Sequence, residues 1–252
     1  VENKKKIALY NEDCLERLKL IEDNSVDLIL CDLPYGMTRN KWDCEIPLPD
    51  LWKQYKRIRK KNTAICLFAK GVFDKKLAVS NMREYKYEWV WEKNIATGFL
   101  NARRVPLQAH ENILVFYKNL PTYNPQYTKS TPYVSGLRVG NSENYGSYKS
   151  YQTISNGDRF PHDVIKFKCE SGQHPTQKPV SLCEYLIKTY TNEGDVVLDN
   201  CMGSGTTGVA CIRTKRSFIG IEINEFYFDI AKNRIKEEIN KNKIHRKSIF
   251  AI

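Results

Sequence analysis

An α/β fold, with a mostly parallel sheet and helices on both faces, is predicted by three features of the chain. Short apolar runs of strand length alternate with stretches of helical spacing along most of its 252 residues. One run, Val26–Leu30, leads into Cys31-Asp32-Leu33-Pro34-Tyr35-Gly36. Another, Val196-Val197-Leu198-Asp199, leads into a turn containing Gly203-x-Gly205. Strand tips of this kind are where open α/β sheets bind ligands.

Lys6 to Asp13 reads as a strand ending in an acidic corner, and Cys14 to Ile21 as a helix with Leu15, Leu18 and Ile21 on one face. The strand into Asp32 completes a strand–helix–strand unit, so the first two strands are expected to be parallel and adjacent. A loop with two prolines and Trp42 follows Tyr35. Leu51 to Lys61 is then a helix carrying Lys53, Lys56, Arg57, Arg59, Lys60 and Lys61, either a solvated face or a phosphate-tracking one. Thr63–Ala69, Tyr87–Trp91 and Asn112–Tyr117 read as strands, with a helix over Phe73–Met82. From about Asn119 to Gly172 aliphatic periodicity is lost, and Tyr, Ser, Asn, Gly, Thr and Pro dominate. This is a flexible insertion or a module that orders on a partner. Regular structure returns with a helix starting at Pro179, the strand Val196–Asp199, a helix to about Arg213, a strand Ser217–Glu222 and a helix from Phe226 to about Ile239.

The net charge of +11 suits a polyanionic partner, nucleic acid foremost, although solubility alone also accounts for it. No apolar run approaches the ~20 residues that span a bilayer, and no signal region follows the basic N-terminus. A cytoplasmic location without membrane association is therefore expected. The eight cysteines include no Cys-x-x-Cys pair. They are read as reduced thiols, with neither a disulfide framework nor a metal site.

Two sites emerge. At the first, a carboxylate (Asp32), a backbone carbonyl outside any ladder and a ring (Tyr35) project from a strand end, parts suited to gripping a flat polar molecule by its amino group. At the second, a strand, a glycine turn, a helix and an acid at the next strand tip form a nucleotide-binding unit. Glu222 is suited to accepting hydrogen bonds from ribose hydroxyls. Gly208 follows Gly205 at dinucleotide spacing, which leaves NAD open. Asp199 and Asp32 would repel a pyrophosphate and attract a sulfonium amino acid, which favours S-adenosylmethionine.

These segments carry a resemblance. Asp32-Leu33-Pro34-Tyr35 resembles the catalytic Asp-Pro-Pro-Tyr of amino-group DNA methyltransferases, with Leu33 departing at the second position. Asp199 through Gly205 resembles their cofactor motif, with Cys201 where phenylalanine is usual. His174-Pro175-Thr176-Gln177-Lys178-Pro179 matches the segment that precedes that motif. The catalytic motif comes first, as in the class called beta. The resemblance implies a Rossmann-like S-adenosylmethionine-dependent methyltransferase fold with a seven-stranded sheet and circularly permuted motif order. The catalytic half would span 1–118, a target-recognition insertion 119–172, and the cofactor-binding half 173–252.

The resemblance also implies roles. Asp32, Leu33, Pro34 and Tyr35 would be catalytic. Asp13 and Cys14 would lie by the cofactor's adenine, and Glu222 and Ile223 by its ribose. Asp199, Asn200, Cys201, Met202, Gly203, Ser204, Gly205, Thr206 and Thr207 would wrap the rest. His174, Thr176 and Lys178 would flank the amino-acid end, with Lys178 near its carboxylate. Arg39, Asn40, Lys41 and Trp42 after the catalytic motif, and Lys129, Arg138, Lys149 and Arg159 in the insertion, would contact DNA.

The implied partner is double-stranded DNA. The family also allows a homodimer and a cognate restriction endonuclease. The implied reaction is methylation of adenine N6, with base flipping and direct transfer. Cytosine N4 on the same scaffold is the alternative, followed by an RNA or protein glutamine target, or a non-catalytic DNA-binding relative. Carbon-5 cytosine chemistry needs a cysteine nucleophile, typically in a Pro-Cys pair, and the chain has no such dipeptide.

Overall fold

A computed structural model describes residues 6–36, 45–144, 146–170 and 177–249. In chain order the main elements are β1 (Ile7–Tyr10), α1 (Cys14–Lys19), β2 (Val26–Cys31), α2 (Leu48–Ile58), β3 (Arg59–Ala69), α3 (Gly71–Ser80), β4 (Tyr85–Thr97) and β5 (Gln108–Phe116). After an intervening unit come β6 (Val164–Phe167), α4 (Val180–Tyr190), β7 (Val196–Asp199), α5 (Thr206–Arg213), β8 (Ser217–Ile221) and α6 (Glu225–Ile249).

The main sheet has eight strands in the order β1-β8-β7-β2-β3-β5-β4-β6. All neighbours are parallel except at β5, which runs antiparallel to β3 and β4. This is one strand more than the seven read from the sequence. The eighth, β6, lies in the stretch whose composition suggested an insertion, and Val164 pairs with Val90 on β4. The expectation that β1 and β2 are neighbours is corrected. They are parallel, but β7 and β8 from the far end of the chain lie between them. A local strand–helix–strand pattern cannot reveal strands that arrive from the other terminus.

Side chains alternate across the strands and divide the core. Leu28 and Leu30 of β2 face α4, α5 and α6, packing with Leu186, Val209 and Ile235. Ile29 and Cys31 face α1, α2 and α3, packing with Leu18, Tyr55 and Leu77. Leu33 continues this second set and is itself buried. Its departure from proline therefore fills a core position.

The basic helix is shorter at its end than the sequence suggested. Pro49 lies in the first turn of α2, and the helix stops at Ile58 because Arg59 turns extended. Arg59 is buried in a two-pronged pair with Glu84, at 2.7 and 2.8 Å. This pair holds the Glu84 carboxyl below the usual range. Removing either partner would strand a buried charge, at a cost of about 3–5 kcal/mol. Arg57 donates to the Leu18 and Ile21 carbonyls and pairs with Asp23, while Lys60 pairs with Asp27. Arg57, Arg59 and Lys60 thus hold elements together, and the phosphate-tracking reading keeps the exposed Lys53, Lys56 and Lys61.

Residues Pro125–His162 form a second compact unit, separate from Val1–Asn124 with Asp163–Ile252. Within it, Thr128–Lys129 pairs with Asp158–Arg159, Tyr133–Val134 with Ile154–Ser155, and Asn141–Ser142 with Gly146–Ser147, all antiparallel. Cation–ring contacts and ion pairs tie this ladder together. Arg159 lies over Tyr133 and donates to Ser155 and Thr131, Arg138 lies over Tyr151, and Lys129 pairs with Asp158.

Candidate active site

The chain reverses direction across the sheet between β7 and β2. From β7 it proceeds through α5 to β8 on one side, and from β2 through α2 to β3 on the other. The carboxyl tips of these strands flank a crevice. Asp13 follows β1, Asp32 follows β2, Lys70 follows β3, Asp199 ends β7 and Glu222 follows β8. Because β5 runs the other way, its beginning reaches the same edge: Asn112 pairs with Ala69, which puts Glu111 level with the end of β3. A cavity of about 810 Å³ opens there, within the usual size of a small-molecule site.

One end of the cavity is built by the glycine turn. Gly205 has φ +78°, and an added Cβ would meet Ala231 of α6 at 2.8 Å. At Gly208 an added Cβ would strike Ile235 and Phe218, so this third glycine sets the close packing of α5 against β8 and α6. Glu222 spans the turn: Oε2 accepts from the Gly203 N–H and Oε1 from the Asn224 N–H, both at 2.9 Å. Burial nevertheless pushes its carboxyl up. Asp199 accepts from the Cys201 N–H at 3.1 Å and from the Thr207 hydroxyl at 2.7 Å. Burial pushes Asp199 up to about 6, with Thr207 and Cys201 pulling partly back. Asn200 accepts from the Tyr55 hydroxyl at 2.5 Å. Arg234 of α6 donates to the Ser204 carbonyl at 2.6 Å.

The other end is built around Asp32. Its Oδ1 accepts from the Tyr35 hydroxyl at 2.6 Å, and its Oδ2 from Lys178 Nζ at 2.5 Å. The Tyr35 ring stacks on Phe73, with centroids 4.9 Å apart. Lys178 is also 3.3 Å from Glu111, which pairs with Lys93. A carboxylate at a strand tip, half open to a cavity that also holds a glycine turn, is an arrangement for presenting a polar group to a nucleotide-like ligand.

The family model described as "DNA methylase" (N6_N4_Mtase) matches residues 26–233. The chain belongs to this DNA methylase family. Among its relatives is the Type II methyltransferase M.HpaI of Haemophilus parainfluenzae, 30% identical over 92% of this chain and 75% of that protein. The DNA adenine methyltransferase YhdJ of Escherichia coli is 28% identical over 94% of this chain and 87% of that one. The crystal structure of the M1.HpyAVI–SAM complex superposes with a TM-score of 0.62, at 28% identity over 90% of this chain and 99% of that chain.

For a DNA methylase the residue placement is informative. Asp13, Cys14, Asp32, Leu33, Pro34, Tyr35 and Lys178 line the cavity, together with Asp199 to Ser204, Thr206, Thr207, Glu222 and Ile223. Gly205 does not line it and acts through packing. His174, Thr176, Arg39, Asn40, Lys41 and Trp42 lie outside the described residues. Lys149 is exposed in the second unit, whereas Lys129, Arg138 and Arg159 make the internal contacts given above. Among the described residues no cluster of His, Cys, Asp or Glu is arranged to hold a metal.

Sequence reading missed Glu111, Lys93, Lys70 and Arg234. Only the run of apolar residues after Glu111-Asn112 hinted that a buried strand starts beside two polar groups. Arg234 looked like any charge on a terminal helix.

Proposed function

We propose that the chain transfers a methyl group from S-adenosylmethionine to the N6 amino group of adenine in double-stranded DNA. The observation that carries this reading is that Asp32 and the glycine turn share one cavity. The turn suits the cofactor, because Gly203 at φ +50° lines the cavity together with the acids Asp199 and Glu222, while Gly205 at φ +78° lets the turn pack close to α6. When bound, S-adenosylmethionine would supply an electrophilic methyl: the sulfur–methyl bonding pair would stay on sulfur as the carbon–nitrogen bond forms, and the proton lost from nitrogen would pass to solvent.

Asp13 and Cys14 would hold the adenine end, and Glu222 with Ile223 the ribose. Residues 199–207 would enclose the remainder, with His174 and Thr176 contributing from the preceding segment. Asp32 and a carbonyl of the Leu33-Pro34 backbone would accept the two amino hydrogens of the target. This turns the nitrogen lone pair out of conjugation and stabilises the charge that develops on it. The Tyr35 hydroxyl gives up Asp32 Oδ1 so that the target can take its place, and the Tyr35 ring lies against a base extruded from the duplex. The aspartate at the head of the tetrapeptide, and a relative named as an adenine methyltransferase, support adenine over cytosine N4.

DNA contacts are assigned to Arg39, Asn40, Lys41 and Trp42, and to Lys129, Arg138, Lys149 and Arg159. A cognate endonuclease, in keeping with relatives that carry Type II names, and a homodimer, which rests on the family resemblance alone, belong to the same proposal. No helix among the described residues is long and apolar enough to cross a membrane; a cytoplasmic site of action is part of the same proposal and rests on DNA as the substrate. Incubating the protein with duplex DNA and methyl-labelled cofactor should put label into the DNA; absence of label would contradict the reading.

Cofactor binding should depend on pH through Asp199, whose carboxyl lies at about 6 in the free protein. A neighbouring cation favours the ionised form. Below that pH, binding must expel the proton that Asp199 holds. Affinity should therefore rise with pH up to about 6, by at most about tenfold per unit, and level off above. Calorimetry between about pH 5 and pH 8 checks this, with proton release expected on the acid side. A flat affinity across that range would remove Asp199 from the cation's surroundings.

A further inference from the structure

Lys178 was expected beside the cofactor's carboxylate, but its ammonium is already committed. Nζ lies 2.5 Å from Asp32 Oδ2, 3.3 Å from Glu111 Oε2 and 5.2 Å from the centroid of the Phe68 ring. The Lys178 side chain is 10% exposed and that of Glu111 7%. Glu111 Oε1 pairs with the buried Lys93 and lies 3.9 Å from Lys70. Its Oε2 makes no hydrogen bond among the described residues, so its nearest charge partner is Lys178.

The charged and titratable groups gathered around Lys178 in the cavity wall come from strands β2 to β5, with the Cys183 thiol of α4 beside them. Asp32 and Tyr35 follow β2, Lys70 follows β3, Lys93 is on β4 and Glu111 is on β5. Burial pulls the Lys178 ammonium down, but Asp32 and Glu111 outweigh it and hold it charged. Burial likewise pushes Glu111 up, and Lys178, Lys93 and Lys70 reverse this.

A carboxylate that must accept hydrogen bonds from a neutral, flat base has a problem. Covered by the base, it loses water, and a buried carboxylate left without a charge partner is costly and free to turn away. A fixed cation on its far oxygen solves both difficulties. A third carboxylate brought to the same ammonium would crowd Asp32 and Glu111 with like charge.

We propose that Lys178 and Glu111 are positioning residues: Lys178 holds Asp32 by one oxygen, turned so that the other meets the target amino group, and Glu111 anchors Lys178. This deepens the methyl-transfer reading and rests on it. Neither residue touches the transferring atoms, and Lys178 is not the ligand of the cofactor's carboxylate.

The test compares Lys178→Gln, Lys178→Arg, Glu111→Gln and the double variant Lys178→Met/Glu111→Gln with the wild-type chain, using duplex DNA and S-adenosylmethionine. Lys178→Gln should lower the saturated single-turnover rate about 100-fold, while the calorimetric Kd for the cofactor stays within about threefold. Lys178→Arg should recover at least about tenfold of that loss, because it restores the cation. Glu111→Gln should lose about tenfold in rate at unchanged cofactor affinity. The double variant removes one charge of each sign. It should keep the wild-type circular dichroism spectrum and be no slower than Lys178→Gln, since the residues act as one unit.

A Lys178→Gln chain whose cofactor Kd rises more than about tenfold at an unchanged saturated rate would make Lys178 a cofactor ligand and overturn the proposal. So would folded variants with wild-type rates. A wild-type chain that binds cofactor and transfers no methyl to DNA would refute the methyl-transfer reading itself. That outcome is visible in the wild-type arm alone.

Discussion

Replacing Asp32 with alanine should reduce methyl transfer by about 1,000-fold or more while leaving DNA binding within about threefold. Asp32 sits at the tip of β2 with one oxygen on Lys178 and the other on the Tyr35 hydroxyl, facing the cavity. On the proposed role, its loss would remove the acceptor that orients the amino group and the charge that stabilises the transition state. It also leaves Lys178 with Glu111 as its remaining counter-charge among the described residues. Asp32→Asn keeps the shape but offers an amide, which cannot balance the Lys178 cation, and should be impaired nearly as much. Single-turnover rates with labelled cofactor, alongside filter binding of duplex DNA, separate the two effects. A folded Asp32→Ala chain that retains more than about a tenth of wild-type activity would remove Asp32 from the chemistry.

Glu222→Ala should weaken cofactor binding by at least about 30-fold. The side chain accepts from the Gly203 and Asn224 N–H groups at once, so it fixes the turn as well as lining the cavity. Hydrogen bonds to a charged group contribute roughly 1.5–3 kcal/mol each, and about 1.4 kcal/mol is tenfold in affinity. Glu222→Gln keeps one acceptor oxygen and should lose less, about tenfold. Titration calorimetry with S-adenosylmethionine reads the difference. Unchanged affinity in Glu222→Ala would show that the turn neither needs this anchor nor meets the ribose through it.

Much of this site is written locally in the chain. Asp32, Asp199 and Glu222 each end a short apolar run, and the length and residue types of those runs are enough to place them at strand tips. Gly203 and Gly205 mark the turn because few other residues tolerate those backbone angles. The residues that went unread depend on pairings across long distances in sequence. Glu111 and Lys93 matter because β5 is antiparallel, which brings the start of one strand to the tips of the others. Arg59 looked like a helix cation until Ile58 ended the helix and Glu84 covered it.

The separation of β1 from β2 follows from the order of the halves: the strands that lie between them are encoded more than 160 residues later. The side chain of Leu33, the departure from the family tetrapeptide, is explained by burial beside α2 and α3, and the carbonyl role falls to the backbone, which does not depend on a proline there.

The most direct test is nucleoside mass spectrometry of DNA from a methylation-free host expressing the wild-type chain, with the Asp32→Ala chain as control. N6-methyladenine in the first sample and its absence from the second is the predicted result. N4-methylcytosine without N6-methyladenine, or equal N6-methyladenine in both samples, would contradict it.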